Sequence, residues 1–190
     1  MAKLYFSYAT MNAGKSTLLL QASYNYRERG MRTAIFIASF DDRAGQGRIS
    51  SRIGLSSDAI AFDRSDDLYR HIEQLNGDGE GEIACVFIDE AQFLGSSQVK
   101  QIHANLCAAH GMRVSCFGLR TDFQGNPFEG ATALLALADS LHEISTLCRC
   151  GSKATMNQRI DSSGQPVRQG AVLEIGGDSR YRPVCPRCFY

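Results

Sequence analysis

Four short apolar runs, Leu4–Ala9, Thr33–Ala38, Ala84–Ile88 and Arg113–Leu119, are each bounded by polar or glycine residues and are rich in Val, Ile, Phe or Tyr. Runs of that length and composition predict buried strands. Between the first two, Lys15–Arg29 predicts a helix that stops at Gly30, because a glycine lets the chain leave a helix through left-handed geometry. A second helix is predicted over Ser97–His110, where Val99, Ile102 and Leu106 recur at helical spacing, Ser96 or Ser97 can cap the start, and Gly111 ends it. A third is predicted over Ala131–Leu141, rich in Ala and Leu, and a surface helix over Ser65–Asn76. Strands that alternate with helices of this length predict βαβ units and a parallel sheet, an α/β fold. Arg48–Gly54 and the polar Asn76–Glu82 read as loops.

Past residue 145 the pattern changes. Two strand-like pieces, Ala154–Ile160 and Ala171–Ile175, flank the turn cluster Asp161-Ser162-Ser163-Gly164-Gln165-Pro166. The chain therefore divides into an expected α/β domain over residues 1–144 and a small β-rich domain over residues 145–190. Charge follows the same division. The 190 residues carry 20 basic and 20 acidic side chains, but residues 1–144 hold 13 basic against 17 acidic, and residues 145–190 hold seven against three. Neutrality is thus an acidic body joined to a basic appendage. No apolar run approaches the roughly 18–20 residues of a membrane span, and Met1-Ala2-Lys3-Leu4-Tyr5 lacks a secretory apolar segment. The expectation is a cytoplasmic protein without membrane contact.

The first strand leads directly into Ala9-Thr10-Met11-Asn12-Ala13-Gly14-Lys15-Ser16-Thr17 and then into the first helix. This is the phosphate-binding loop pattern G-x-x-x-x-G-K-[ST], with Ala9 in place of the first glycine. Backbone N–H groups at such a helix N-terminus converge on one point and favour an anion there. Lys15 can reach the β- and γ-phosphates of a nucleotide, and the Ser16 hydroxyl can ligate Mg²⁺. ATP with Mg²⁺ is the expected cofactor, bound by residues 9–16. The bland reading, a Gly-Lys-Ser-Thr that merely starts a helix, is weakened by the strand-loop-helix context. The expected fold is then a P-loop NTPase (RecA-like) parallel sheet with helices on both faces.

Ala84–Ile88 ends in Asp89-Glu90. A carboxylate at the end of a strand beside a phosphate loop can hold Mg²⁺, and its neighbour can take a proton from an attacking hydroxyl. That gives Asp89 the metal and Glu90 the base role; without the loop the pair would be two solvated acids. Of seven cysteines, four form the close pairs Cys148-Arg149-Cys150 and Cys185-Pro186-Arg187-Cys188. Two such pairs can make a structural zinc site of four thiolates, with no open coordination position; disulfides are the weaker alternative, since cytosolic thiols are kept reduced. Cys85, Cys107 and Cys116 sit in apolar segments and read as core residues, and the histidines have no ligand spacing.

These motifs together resemble the type II thymidine kinases, in particular a bacterial subgroup whose first zinc pair is C-x-C. The resemblance runs along essentially the whole chain. It comprises Tyr8–Ser16 as phosphate loop, Phe40-Asp41-Asp42-Arg43 as the D-x-R element, Phe87-Ile88-Asp89-Glu90-Ala91-Gln92-Phe93 as the D-E-x-Q-F signature, Gly118–Phe123, and Ile175-Gly176-Gly177-Asp178-Ser179-Arg180-Tyr181 as a lasso. It implies transfer of the ATP γ-phosphoryl group to the 5′-hydroxyl of thymidine or deoxyuridine. Carried over, Glu90 is the base, with Lys15 and Arg43 as its catalytic partners. Asp89, Glu90, Ala91 and Gln92 add to the nucleotide site. Asp41 lies near the sugar, and Phe123 and Tyr181 flank the nucleoside. The backbone of Val172, Leu173, Glu174, Ile175 and Gly176 holds the base. Taken alone, Phe123 and Tyr181 read as packing residues, and Asp41-Asp42-Arg43 as a solvated charge cluster. The resemblance also implies a homotetramer inhibited by dTTP, with no nucleic acid partner.

Two other readings remain. In a RecA-like ATPase, Glu90 would polarise water and the basic zinc module would grip nucleic acid. The module lacks the interleaved aromatics such a groove uses. The other is a zinc-ribbon interaction module with a degenerate nucleotide site.

Overall fold

The computed structural model describes residues 3–39, 47–172 and 180–190. In chain order its elements are β1 (Leu4–Tyr8), α1 (Lys15–Arg27), β2 (Arg32–Ala38), β3 (Arg48–Ser50), β4 (Ser56–Asp58), β5 (Ile60–Phe62), α2 (Leu68–Asn76) and β6 (Ile83–Ile88). A 3₁₀ turn (Ala91–Phe93) precedes α3 (Ser96–Gln101), which runs on as a wider π-helical stretch over Ile102–Ala109. Next come β7 (Arg113–Gly118), α4 (Glu129–Leu137), β8 (Ser140–Glu143), β9 (Thr146–Leu147), β10 (Lys153–Ala154), β11 (Met156–Ile160), β12 (Pro166–Val167), β13 (Tyr181–Val184) and α5 (Pro186–Phe189).

Six strands form one sheet in the order β5-β2-β6-β7-β1-β8, and every pairing in it is parallel. The alternation of side chains across the strands explains why both faces must be covered. On one face Leu4, Phe6, Ala34, Phe36, Val86, Ile88, Val114 and Cys116 join the apolar sides of α2, α3 and α4. On the other, Ile35, Ile37, Cys85, Phe87 and Phe117 meet Leu19 and Leu20 of α1, with Ile49 of β3 beside them. The four strands anticipated from apolar runs are β1, β2, β6 and β7, the inner strands of this sheet. Strand order places β1 and β6 on either side of β7, so the loop after β1 and the acids after β6 emerge at the same edge. That edge is the carboxyl end of the parallel strands, where such folds place their ligands.

Four sequence expectations change. The helix expected over Ala131–Leu141 ends at Leu137, and Leu141 belongs to edge strand β8. Asp139 causes the break: its carboxylate accepts from the Leu4 N–H at 2.7 Å and its own N–H donates to the Leu4 carbonyl, pulling the chain into line beside β1. The loop expected over Arg48–Gly54 is instead strand β3 and the turn that pairs it with β4. The run Ala154–Ile160 divides at Thr155, whose N–H donates to Val184 of β13. β5 went unrecognised because three residues leave no periodicity to read. Of the expected strand Ala171–Ile175, Ala171 and Val172 are not extended into a ladder, and residues 173–175 lie outside the described residues.

Beyond the large sheet, β11 pairs antiparallel with β12 and β13, and β9 with β10. A small core of Cys148, Ala154, Val184, Cys185 and Phe189 lies between them. No helix among the described residues is long and apolar enough to cross a membrane.

Phe36 is fully buried at the centre of the larger core. Truncation of a buried phenylalanine removes both its transfer free energy and its packing partners. Phe36→Ala should destabilise the protein by about 3–5 kcal/mol, read as a lower urea midpoint with an unchanged slope.

Candidate active site

The turn from β1 into α1 is built for a bound anion. Asn12 and Gly14 take left-handed backbone geometry, φ 63° and 80°. Asparagine and glycine are the residues that enter this region at least cost. Ala9 is not left-handed; it is extended enough to give its N–H to the Gly118 carbonyl at 3.2 Å, so alanine serves where the motif has glycine. Lys15 opens α1 and is only 8% exposed, its Nζ donating to the Thr10 carbonyl at 2.9 Å. This bond folds the lysine back across the loop it must serve.

The Ser16 hydroxyl donates to Asp89 Oδ2 at 2.7 Å. A phosphate loop and a strand-end carboxylate thereby meet across the intervening strand β7. Asp89 is 1% exposed. Burial, and then the neighbouring negative charge of Glu90, push its carboxyl up to about 7, against the pull of Ser16 and Lys15. Glu90 follows in left-handed geometry, φ 52°, a conformation that costs a residue with a side chain. The reversal turns the chain out of β6 and aims Glu90 into the same cleft as the loop. Glu90 Oε2 accepts from Gln92 Nε2 at 2.6 Å.

The cleft has a volume of about 410 Å³ and is lined by Met11–Thr17, Asp89, Glu90 and Leu119, with Ile49–Ile53 of the β3–β4 hairpin opposite. Arg52 thus faces the phosphate loop. Sequence reading missed it, since an arginine in a Ser-Ser-Arg-Ile-Gly turn carries no signal until the hairpin is folded over α1. Ala9, Thr10, Ala91 and Gln92 are brought to the site but do not line the cleft; Ala91 and Gln92 are fully buried behind it.

A second set of residues reaches the cleft from the β11–β13 side. Asn157 of β11, 3% exposed, accepts from the Met11 N–H at 2.7 Å and donates to the Thr121 carbonyl at 3.3 Å. The Asn12 side chain donates to the Tyr181 carbonyl at 3.4 Å. Phe123 is buried, with the Tyr181 ring at 6.4 Å, edge-on, and the Arg159 guanidinium over its face at 5.2 Å. Phe123 and Tyr181 are therefore neighbours beside the loop, while Val172 is exposed. Asn157 carried no sequence signal, because a lone asparagine on a strand reads as a polar surface position. Asp41, Arg43, Leu173, Glu174, Ile175 and Gly176 lie outside the described residues.

The sulfur atoms of Cys148, Cys150, Cys185 and Cys188 all lie within 4.8 Å of one another, with Cys150 and Cys185 at 3.6 Å. Four thiolates around one ion at roughly 2.3 Å set edges of about 3.8 Å, so the cluster fits a tetrahedral metal. Hydrogen bonds from the Ser152 backbone hold the Cys150 thiol down to about 6, while those with Cys148, Cys150 and Cys185 push the Cys188 thiol up to about 12, as sulfurs sharing one close site do. Cys85 and Cys107 are the opposite case: burial pushes their thiols up to about 11 and about 12, as it also raises that of Cys116. These three are inert core residues.

A glycine-lysine-serine loop at a helix N-terminus, a buried carboxylate against its serine and a second carboxylate in the same cleft define a P-loop nucleotide-binding enzyme. The chain belongs to the thymidine kinase family, which the description "Thymidine kinase" names and which matches residues 2–189. A thymidine kinase of Rhizobium meliloti (strain 1021) is 63% identical over 187 residues, covering 98% of this chain and 95% of that protein. One of Agrobacterium fabrum is 56% identical over 187 residues, with the same coverage of each. One of Novosphingobium aromaticivorans is 55% identical over 189 residues, covering 100% of this chain and 97% of that protein.

The raised Asp89 carboxyl gives the nucleotide-free protein a pH signature. An acid whose folded value lies above its unfolded one binds more protons when folded, so stability falls as pH rises between the two values. With an unfolded value near the ordinary 3.8 and a folded one of about 7, the loss should run from about pH 4 to about pH 7. Thermal unfolding without nucleotide or divalent cation should show this decline, and Asp89→Asn should flatten it.

Proposed function

We propose that this chain is an ATP-dependent deoxynucleoside kinase that transfers the γ-phosphoryl group of ATP to the 5′-hydroxyl of thymidine or deoxyuridine, for pyrimidine salvage in the cytoplasm. The observation that carries the chemistry is the meeting of Ser16 and Asp89 at 2.7 Å with Glu90 in the same cleft. Membership of the thymidine kinase family supplies the substrate.

In this reading, the 5′-oxygen attacks the γ-phosphorus while the bond to the β–γ bridging oxygen breaks, and ADP leaves. The hydroxyl proton passes to the Glu90 carboxylate. Most of the catalysis is positioning and charge neutralisation. Lys15 and the loop N–H groups take the β- and γ-phosphate oxygens, and Arg52 and Arg43 supply further positive charge. The Ser16 hydroxyl and the Asp89 carboxylate would hold Mg²⁺, which neutralises charge on the β- and γ-phosphates. The neutral nucleoside needs aromatic faces and backbone hydrogen bonds more than charge, which favours Phe123 and Tyr181 as its flanks, Asp41 at the sugar and residues 172–176 at the base.

We assign the four cysteines to structural zinc. Residues 145–190 then form a domain stapled by metal, since a core of five buried residues gives so small a unit little stability of its own. We also infer a homotetramer and feedback inhibition by dTTP. Both rest on the resemblance to type II thymidine kinases. The nucleic-acid ATPase reading loses its ground because the family match runs through the basic module to residue 189.

Mixing protein, ATP and Mg²⁺ with and without thymidine tests the reaction. ADP release that requires thymidine and yields dTMP is expected, and DNA-stimulated release without nucleoside would overturn the proposal. Glu90→Gln should lower kcat by roughly 10²–10⁴-fold while ATP binding persists. Elemental analysis should find one zinc per chain, and its removal by chelation should lower the melting temperature and weaken thymidine binding.

A further inference from the structure

Glu90 does not stand alone in the cleft; a buried amide is fixed behind it. Gln92 is fully buried, and its side chain makes two bonds. Oε1 accepts from the backbone N–H of Leu119 at 3.0 Å, and Nε2 donates to Glu90 Oε2 at 2.6 Å. The first bond decides the direction of the second. A backbone N–H can only donate, so the amide oxygen must face Leu119 and the amide nitrogen must face Glu90. A carboxylate oxygen thus receives a donor whose orientation is set by the main chain of the next strand.

The sequence provides room for this arrangement at one position. A Cβ on Gly118 would stand 2.6 Å from Gln92 Oε1 and 3.1 Å from the Gln92 backbone nitrogen. Gly118 is not left-handed, so its lack of a side chain answers the approach of Gln92 and not a turn. Gly118 ends β7 and Leu119 follows it, so the amide bridges β7 to the turn after β6.

We propose that Gln92, seated by Gly118 and Leu119, is the positioning residue of the reaction: it holds the Glu90 carboxylate in the plane and orientation from which it takes the 5′-hydroxyl proton. Its partner's left-handed backbone makes such a support necessary, since a strained residue keeps its place only where its surroundings over-determine it. Gln92 does not line the cleft, so its effect falls on turnover and not on binding. The proposal rests on Glu90 being the base.

The test is a pair of double-mutant cycles on kcat, with the ADP-release assay and turnover counted per ATP-binding protein, so that misfolded protein does not register as lost turnover. Gln92→Met should lower kcat by roughly 10²-fold, the scale on which small misplacements of a reacting group act, with KM for ATP and thymidine unchanged. Gly118→Ala, which displaces the same amide without altering it, should lower kcat in the same way. In a Glu90→Gln background neither change should lower kcat further, because there is no base left to position. If either substitution lowers kcat as much in that background as in the native one, Gln92 acts only through the fold and the proposal is wrong, while Glu90 keeps its role. If Glu90→Gln itself turns over at the native rate, the base assignment fails and the proposal falls with it. Should Gln92→Met yield no ATP-binding protein, the Gly118→Ala cycle decides alone.

Discussion

A carboxylate withdrawn from water is the constraint around which this molecule is arranged. Asp89 lies at the end of an entirely apolar strand, 1% exposed, and a buried acid is stable only when neutral or provided with partners. The partner supplied is a hydroxyl from the first turn of a different helix. That single contact requires β1 and β6 to lie one strand apart with their ends level, which the order β6-β7-β1 and parallel registers achieve. The two apolar faces, the alternation of side chains and the helices that cover them all serve to hold these two ends together. Lys15, at the start of the same helix, adds positive charge that pulls the Asp89 carboxyl back down against its burial.

Among the described residues, the cysteine-bearing part is joined to this machinery by a few polar bonds and by the ring contacts of Phe123 with Tyr181 and Arg159. Asn157, on a strand hydrogen-bonded to the one that leads into Cys185 and Cys188, reaches the Met11 N–H of the phosphate loop. Asn12 returns the contact to Tyr181. The nucleotide loop and the aromatic pair are thus two ends of the same few hydrogen bonds. The cysteine cluster begins four residues past Tyr181, directly after the strand from which one of these bonds comes.

Legibility in the sequence followed the range of the interactions. The inner strands β1, β2, β6 and β7 were readable because full burial writes an unbroken apolar run. The edge strands β5 and β8 were not, since a short edge is defined by its neighbour. Asp139 shows the limit: within an Ala-Leu-rich stretch it reads as an exposed helical acid, yet it ends the helix by bonding to Leu4, 135 residues away. The loop, the acidic pair and the four cysteines were visible because local spacing is itself the chemical requirement. Asn157, Arg52 and the seat that Gly118 makes for Gln92 were hidden, because each acts through a partner that only folding brings near. Ala9 was a discrepancy in the motif and none in the molecule, where its backbone does not ask for glycine.

The left-handed backbone at Glu90 has an implication for how such a protein can change over time. Glutamate is a poor occupant of that conformation, and glycine or asparagine would relieve it. Screening variants for heat resistance alone would therefore reward abandoning the acid. If Glu90 is the base proposed above, activity and robustness compete at this one peptide unit. A stabilised descendant of this protein has to find its gains elsewhere, in the short edge strands and the hairpin that closes the cleft.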